Sequence, residues 1–185
     1  MNLLKSLLSK GVRSRVFSGL IVLVLGAFTL LPSLPAQAAS SGTWRLTGTM
    51  HVAREDATAT LLPSGQVLVV GSESNSAELY NPSTGAWTLT GSMHTPHNAA
   101  SATLLPNGQV LVAGGSDAAG PLASAELYNP ATGAWTVTGS MHTARYQHNA
   151  TLLANGQVLV ASGYNENVSP PYLTSAELYN PSSGT

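Results

Sequence analysis

Three kinds of side chain able to do chemistry recur in this 185-residue chain at matching positions. Each unit holds a glutamate (Glu78, Glu126, Glu177) inside the repeated heptapeptide SAELYNP. Each holds a histidine directly after a methionine (His51, His94, His142), and a base three residues later (Arg54, His97, Arg145). Three carboxylates with three imidazoles could bind a metal, because imidazole nitrogen and carboxylate oxygen are ordinary ligands. Carboxylates beside bases could also serve general acid–base work. Repetition argues against both, since chemistry rarely needs one acid per unit. A carboxylate in an apolar stretch is costly to bury unless it is paired. Glu78, Glu126 and Glu177 are therefore expected to tie a strand to the base of their own or a neighbouring unit, and no metal site is expected.

The units set the architecture. Trp44, Trp87 and Trp135 lie 43 and 48 residues apart, and the same offsets connect Met50, Met93 and Met141. Within a unit, turn chemistry separates four short β-type runs: Ala57–Leu62, Gln66–Val70, Ser76–Tyr80 and Ala86–Thr90 in the first. Four short antiparallel strands at this period describe a propeller blade. Stacked blades cover both sheet faces, which accounts for runs such as Leu68-Val69-Val70 that do not alternate with polar residues.

The pattern resembles the kelch repeat. The residues that carry the likeness are Gly114-Gly115 after the second strand, Tyr128 in the third, Trp135 in the fourth, and the spacing of Arg145 and His148 ahead of the first. The doublet is complete only in the middle unit, the others having Gly71-Ser72 and Ser162-Gly163. The resemblance implies an all-β propeller of three four-stranded antiparallel blades, an incomplete or open ring, over residues 39–185. Glu78, Glu126, Glu177, Trp44, Trp87, Trp135, Gly114 and Gly115 are expected to be structural. Propellers of this kind include a copper radical oxidase whose cofactor is a tyrosine cross-linked to cysteine. With no cysteine in the chain, that chemistry cannot be carried over, and no cofactor is expected.

The start of the chain reads differently. Lys5, Lys10, Arg13 and Arg15 precede an apolar run from Val16 to Leu31, and Ala36-Gln37-Ala38 offers a small-x-small cleavage pattern. Residues 1–38 are thus expected to be a signal peptide cut after Ala38, with the product secreted, periplasmic or on the cell surface. Ser14 between the two arginines breaks a twin-arginine signal, and the lack of cysteine excludes a lipid-anchored cysteine after the signal. Contact with a membrane is expected only through this segment, if it stays uncleaved. The remainder keeps three arginines against eight acids, a net charge of −5 without lysine. Nucleic acid, which demands clustered basic side chains, is excluded.

Variation between units is concentrated between strands two and three: Ser72–Asn75, Gly115–Ala123 and Gly163–Thr174. Alternating strand direction puts these loops on the same face as the passages from strand four to the next strand one. Recognition in repeat proteins favours such a face. Asp117, Arg145, Tyr146, His148, Glu166 and Tyr172 are the binding candidates, with a protein or glycan as the partner. His148 stands out because its equivalents are Ala57 and Ala100. An enzymatic alternative, a sugar epimerase or hydrolase, would draw on Glu55, Asp56, Arg145 and His148. A structural adhesion element completed by other chains, or by self-association, is a third reading.

Overall fold

The computed structural model describes residues 42–185, so the expected signal segment lies outside the described residues. The described residues form strands without helix. The first sheet has the order β1 (Thr58–Leu61), β2 (Val67–Val70), β3 (Glu78–Asn81), β4 (Ala86–Leu89), every pair antiparallel. The second repeats this plan with β5 (Ser101–Leu104), β6 (Val110–Ala113), β9 (Ala125–Asn129) and β10 (Ala134–Thr138). A small hairpin, β7 (Ser116–Asp117) with β8 (Gly120–Pro121), sits in its long loop. The third sheet pairs β11 (Asn149–Leu152), β12 (Val158–Ala161) and β13 (Ala176–Tyr179). Among the described residues it has three strands where four were expected.

Strand positions repeat because turn chemistry repeats. After each first strand, the glycine of a Ser-Gly or Asn-Gly pair donates its N–H back to a leucine carbonyl: Gly65 to Leu62, Gly108 to Leu105, Gly156 to Leu153, each 2.9 Å. Their φ angles of 83°, 84° and 84° lie in the left-handed region open to glycine.

The sheets stack in chain order, with β1 against β5 and β5 against β11. Leu68 and Val70 of β2 pack with Val110 and Val112 of β6. On the other side of β6, Leu111 and Ala113 pack with Val158 and Val160 of β12. Side chains alternate faces along a strand, so β6 is buried on both sides and reads as an uninterrupted apolar run. Its four residues are all buried.

A bolt of identical chemistry joins successive units. Hydrogen bonds link Thr47 Oγ1 to Tyr80 Oη at 2.7 Å, Thr90 Oγ1 to Tyr128 Oη at 2.9 Å, and Thr138 Oγ1 to Tyr179 Oη at 2.8 Å. The indole N–H of Trp87 donates to the Gly48 carbonyl, and that of Trp135 to Gly91. Each of these indoles also leans on the tyrosine of its own sheet, Trp87 on Tyr80 and Trp135 on Tyr128, with ring centroids 5.0 Å apart. Trp44 departs from this expectation, being fully exposed. Its equivalents rest on the tyrosine of a SAELYNP segment seven residues earlier, and the sequence has no tyrosine at that spacing from Trp44.

Candidate functional site

The repeated acids and bases form one clamp per sheet. Glu78 accepts from the His51 and Val52 backbone N–H groups, the His51 ring Nδ1 at 2.9 Å and the Arg54 guanidinium at 3.2 Å. Glu177 repeats the set with His142, Thr143 and Arg145. Glu126 accepts from His94 and Thr95 and faces His97, whose Nε2 lies 3.4 Å from its Oε1. The third strand of each sheet is thereby tied to the passage that enters the same sheet. Burial alone would raise the three carboxyl pKa values, but donors from the backbone and from the imidazole and base outweigh it and hold all three below the ordinary 4.5.

The histidines were the part of this clamp that repetition alone did not assign. His51, His94 and His142 each give Nδ1 to their own glutamate. This spends both groups within a single sheet, so they do not gather around a shared centre. Among the described residues no cluster of three His, Asp or Glu side chains is placed to hold a metal.

Two binding candidates are withdrawn from the surface. Arg145 is fully buried, and its guanidinium donates to the Thr143, Ser162 and Ser175 carbonyls, to Ser175 Oγ and to Glu177. It is a structural residue, as a side chain spent on five acceptors has nothing left for a ligand. His148 is 8 % exposed and wedged between sheets, its Nε2 2.8 Å from Ser101 Oγ. Burial, with the Arg145 charge adding to it, lowers its pKa to about 4. The acid–base set of the enzymatic alternative is likewise not assembled, since Arg145 and His148 are enclosed in the third unit while Glu55 lines an open depression with Ser72 and Glu73 in the first.

The glycine doublet explains how the second and third units close on each other. Gly115 N–H donates to the Arg145 carbonyl at 2.8 Å. A Cβ on Gly114 would come within 2.8 Å of His148 Cε1 and Met141 Cε, and both glycines have positive φ.

Of the remaining candidates, the structure brings Tyr146, Glu166 and Tyr172 to one place, and adds Tyr164. Tyr146 and Tyr164 have ring centroids 5.4 Å apart at 68°, and Tyr164 and Tyr172 repeat this at 5.4 Å and 70°. Tyr172 is 75 % exposed. Burial raises the Tyr146 pKa, and the Glu166 carboxylate and the Tyr164 hydroxyl push it the same way. The rings border an open depression of about 570 Å³ shared with Gln147, Ser162 and Gly163. Asp117 lies in a neighbouring depression with Pro96 and Asn98, where its carboxylate accepts from Ala119 N–H. Passages and variable loops together line all three of these depressions, as the alternation of strand direction requires.

Tyr164 escaped sequence reasoning because a lone tyrosine after Ser162-Gly163 carries no motif. Its signal is compositional: of six tyrosines, three occupy SAELYNP, and the other three all lie between residues 146 and 172.

Comparison with known proteins places a kelch motif at residues 99–142, covering the second sheet and the passage beyond it. A search of curated proteins returned no match. The units on either side repeat the sequence, strand register and clamp of the matched one. The matched motif and the repeated four-stranded antiparallel sheets are consistent with a kelch-repeat protein and fit the blades of a β-propeller.

Proposed function

We propose that this kelch-repeat chain is an exported, non-catalytic binding module that holds a protein or glycan on its loop face. The observation that carries the reading is the exposed Tyr172 ring, seated on Tyr164, which in turn leans on Tyr146, at the one face where the units differ. Exposed aromatics held in place by other rings are the material of recognition sites, giving a large contact area at small entropic cost. The opposite face is built of near-identical turns whose polar side chains are turned on themselves, Asn107 to Gln109 and Asn155 to Gln157. Glycan and peptide arrays probed with the protein and with Tyr172→Ala and Asn107→Ala variants test this. Binding lost through Tyr172 alone supports it, and binding lost through Asn107 alone contradicts it. Export adds a separate check, because secreted material should begin at about Ala39 rather than at Met1.

Self-association is a second reading with its own observation. Leu152 and Leu178 are exposed on the third sheet, and β13 has a paired strand on one side only among the described residues. Gly42–Gly48 carries the fourth-strand pattern of Gly85–Gly91 and Gly133–Gly139, yet Trp44 and Leu46 are almost fully exposed. We propose that this segment of one copy pairs with β13 of another. Light scattering that gives a multiple of the chain mass, reduced to one chain by Trp44→Asp, supports it. A single-chain mass over the whole accessible concentration range contradicts it.

A further inference from the structure

Six tyrosines divide evenly between two roles. Tyr80, Tyr128 and Tyr179 are in register, and their hydroxyls are spent on threonines of the preceding unit. Tyr146, Tyr164 and Tyr172 have no counterparts in the other units. They stand on three short segments joined by antiparallel bridges, Tyr146 to Tyr164 and Tyr164 to Tyr172. Residues facing each other across such a bridge project to the same side, so the three rings form a file.

The file has a firm base. Tyr146 and Tyr164 exchange backbone hydrogen bonds of 3.1 and 2.9 Å. Beside them Asn165 is buried, its Nδ2 donating to the Ala144 carbonyl and its N–H to Pro171, while its Oδ1 accepts from Asn167 N–H. Leu173 N–H closes the loop on the Gly163 carbonyl at 2.9 Å. An asparagine with both ends of its amide satisfied pins the loop in one shape, and the rings are preorganised as a binding surface needs to be.

Its chemistry selects among ligands. The side chains of Arg54 and Arg145 are buried and bound, and Arg45 lies in a different depression beside Tyr80 and Pro82, so an anion at the file would meet Glu166 and no cation among the described residues. A quaternary ammonium group needs ring faces converging on a point, whereas here Tyr164 stands between its two neighbours with each leaning on it at about 70°. What remains is a strip of apolar ring surface, open to solvent at Tyr172 and edged by Gln147 and Ser162, with Glu166 beside Tyr146. That pairing of apolar faces with a few polar groups matches a molecule having one C–H face and a rim of hydroxyls.

We propose that the tyrosine file is a subsite for an uncharged glycan of equatorially substituted pyranoses, which stack on the rings and direct hydroxyls to Glu166 and Gln147. The proposal rests on the loop-face reading and narrows it to one class. Calorimetric titration of the full chain with cellohexaose, laminarihexaose and chitohexaose, with decaproline as the peptide probe, tests it. At least one hexaose should bind; Tyr172→Ala should weaken it about tenfold, the loss of one stacking contact, and Tyr172→Phe should retain it. No binding by any hexaose overturns the proposal. Decaproline bound in place of the hexaoses, and lost with Tyr172→Ala, overturns the glycan class while leaving the loop face as the binding surface. Hexaose binding indifferent to Tyr172→Ala overturns both.

Discussion

The glutamate clamps and the tyrosine file are made from equally reactive side chains, and the fold treats them in opposite ways. Each clamp carboxylate is tied to the imidazole and base of its own sheet and is buried or nearly so. The tyrosine file occurs once, and its outermost ring stands in solvent. In a repeating chain, a polar residue in register is spent on geometry. One out of register is free for something else if it also reaches the surface. His148 meets only the first condition, being out of register but buried, and it joins two sheets instead.

The largest effect should come from breaking a clamp. Glu126→Ala leaves His97 buried without its acid partner and should destabilise the fold by about 3–5 kcal/mol. Glu126→Gln should cost less, because an amide oxygen can still accept from the His94 and Thr95 backbone. Denaturant titration of both variants reads the difference, and an unchanged midpoint would show the clamps to be idle.

Acid should dismantle the structure in two steps. Folding holds the His148 pKa at about 4, below the ordinary 6.5. Between those values the unfolded chain binds the extra proton, so stability falls as the pH drops from 6.5 towards 4. The clamp carboxyls are held below 4.5, so the stability they lend is whole above that value and is lost as pH falls through their lower folded values. His148→Ala, which restores the residue type of units one and two, should remove the upper step and leave the lower. Thermal midpoints measured from pH 8 to pH 3 check both.

A smaller gain is available where the middle unit departs from its neighbours. Ser76 and Ser175 accept from Arg54 and Arg145, whereas Ser124 Oγ is buried without a partner because His97 is too short to reach it. His97→Arg should supply that bond and raise stability by about 1 kcal/mol. An unchanged or lowered midpoint would mean that the second unit has repacked around the smaller ring.

Sequence patterning revealed the strands to within two residues, since turn chemistry and apolar runs are local. The first unit's expected Ala57–Leu62 and Ala86–Thr90 are observed as Thr58–Leu61 and Ala86–Leu89. It also named the bases that meet the glutamates, because a buried acid requires one, but left open whether each base comes from the same unit or a neighbour; the structure takes it from the same unit. It did not reveal the histidine half of the clamp, since a histidine after a methionine looks like a surface residue until the passage folds over the sheet. Nor did it separate Arg145 from Tyr146, adjacent residues of which one turns inward to Glu177 and the other stands beside Tyr164. The file depends on bridges between a passage and a loop of variable length, and no period in the sequence encodes such a pairing.

The smallest structural effect belongs to the file, and it gives the sharpest contrast. Tyr172 is exposed, so Tyr172→Ala should alter stability by no more than about 0.5 kcal/mol. The most direct measurement is therefore a paired one on Tyr172→Ala and Glu126→Gln, recording thermal midpoint and hexaose binding for each. Tyr172→Ala should melt with the parent protein and lose the ligand, while Glu126→Gln should melt lower and, below its midpoint, still bind. A Tyr172→Ala variant that keeps the ligand, or a Glu126→Gln variant that loses it while folded, would contradict the division between residues that hold the fold and residues that meet the ligand.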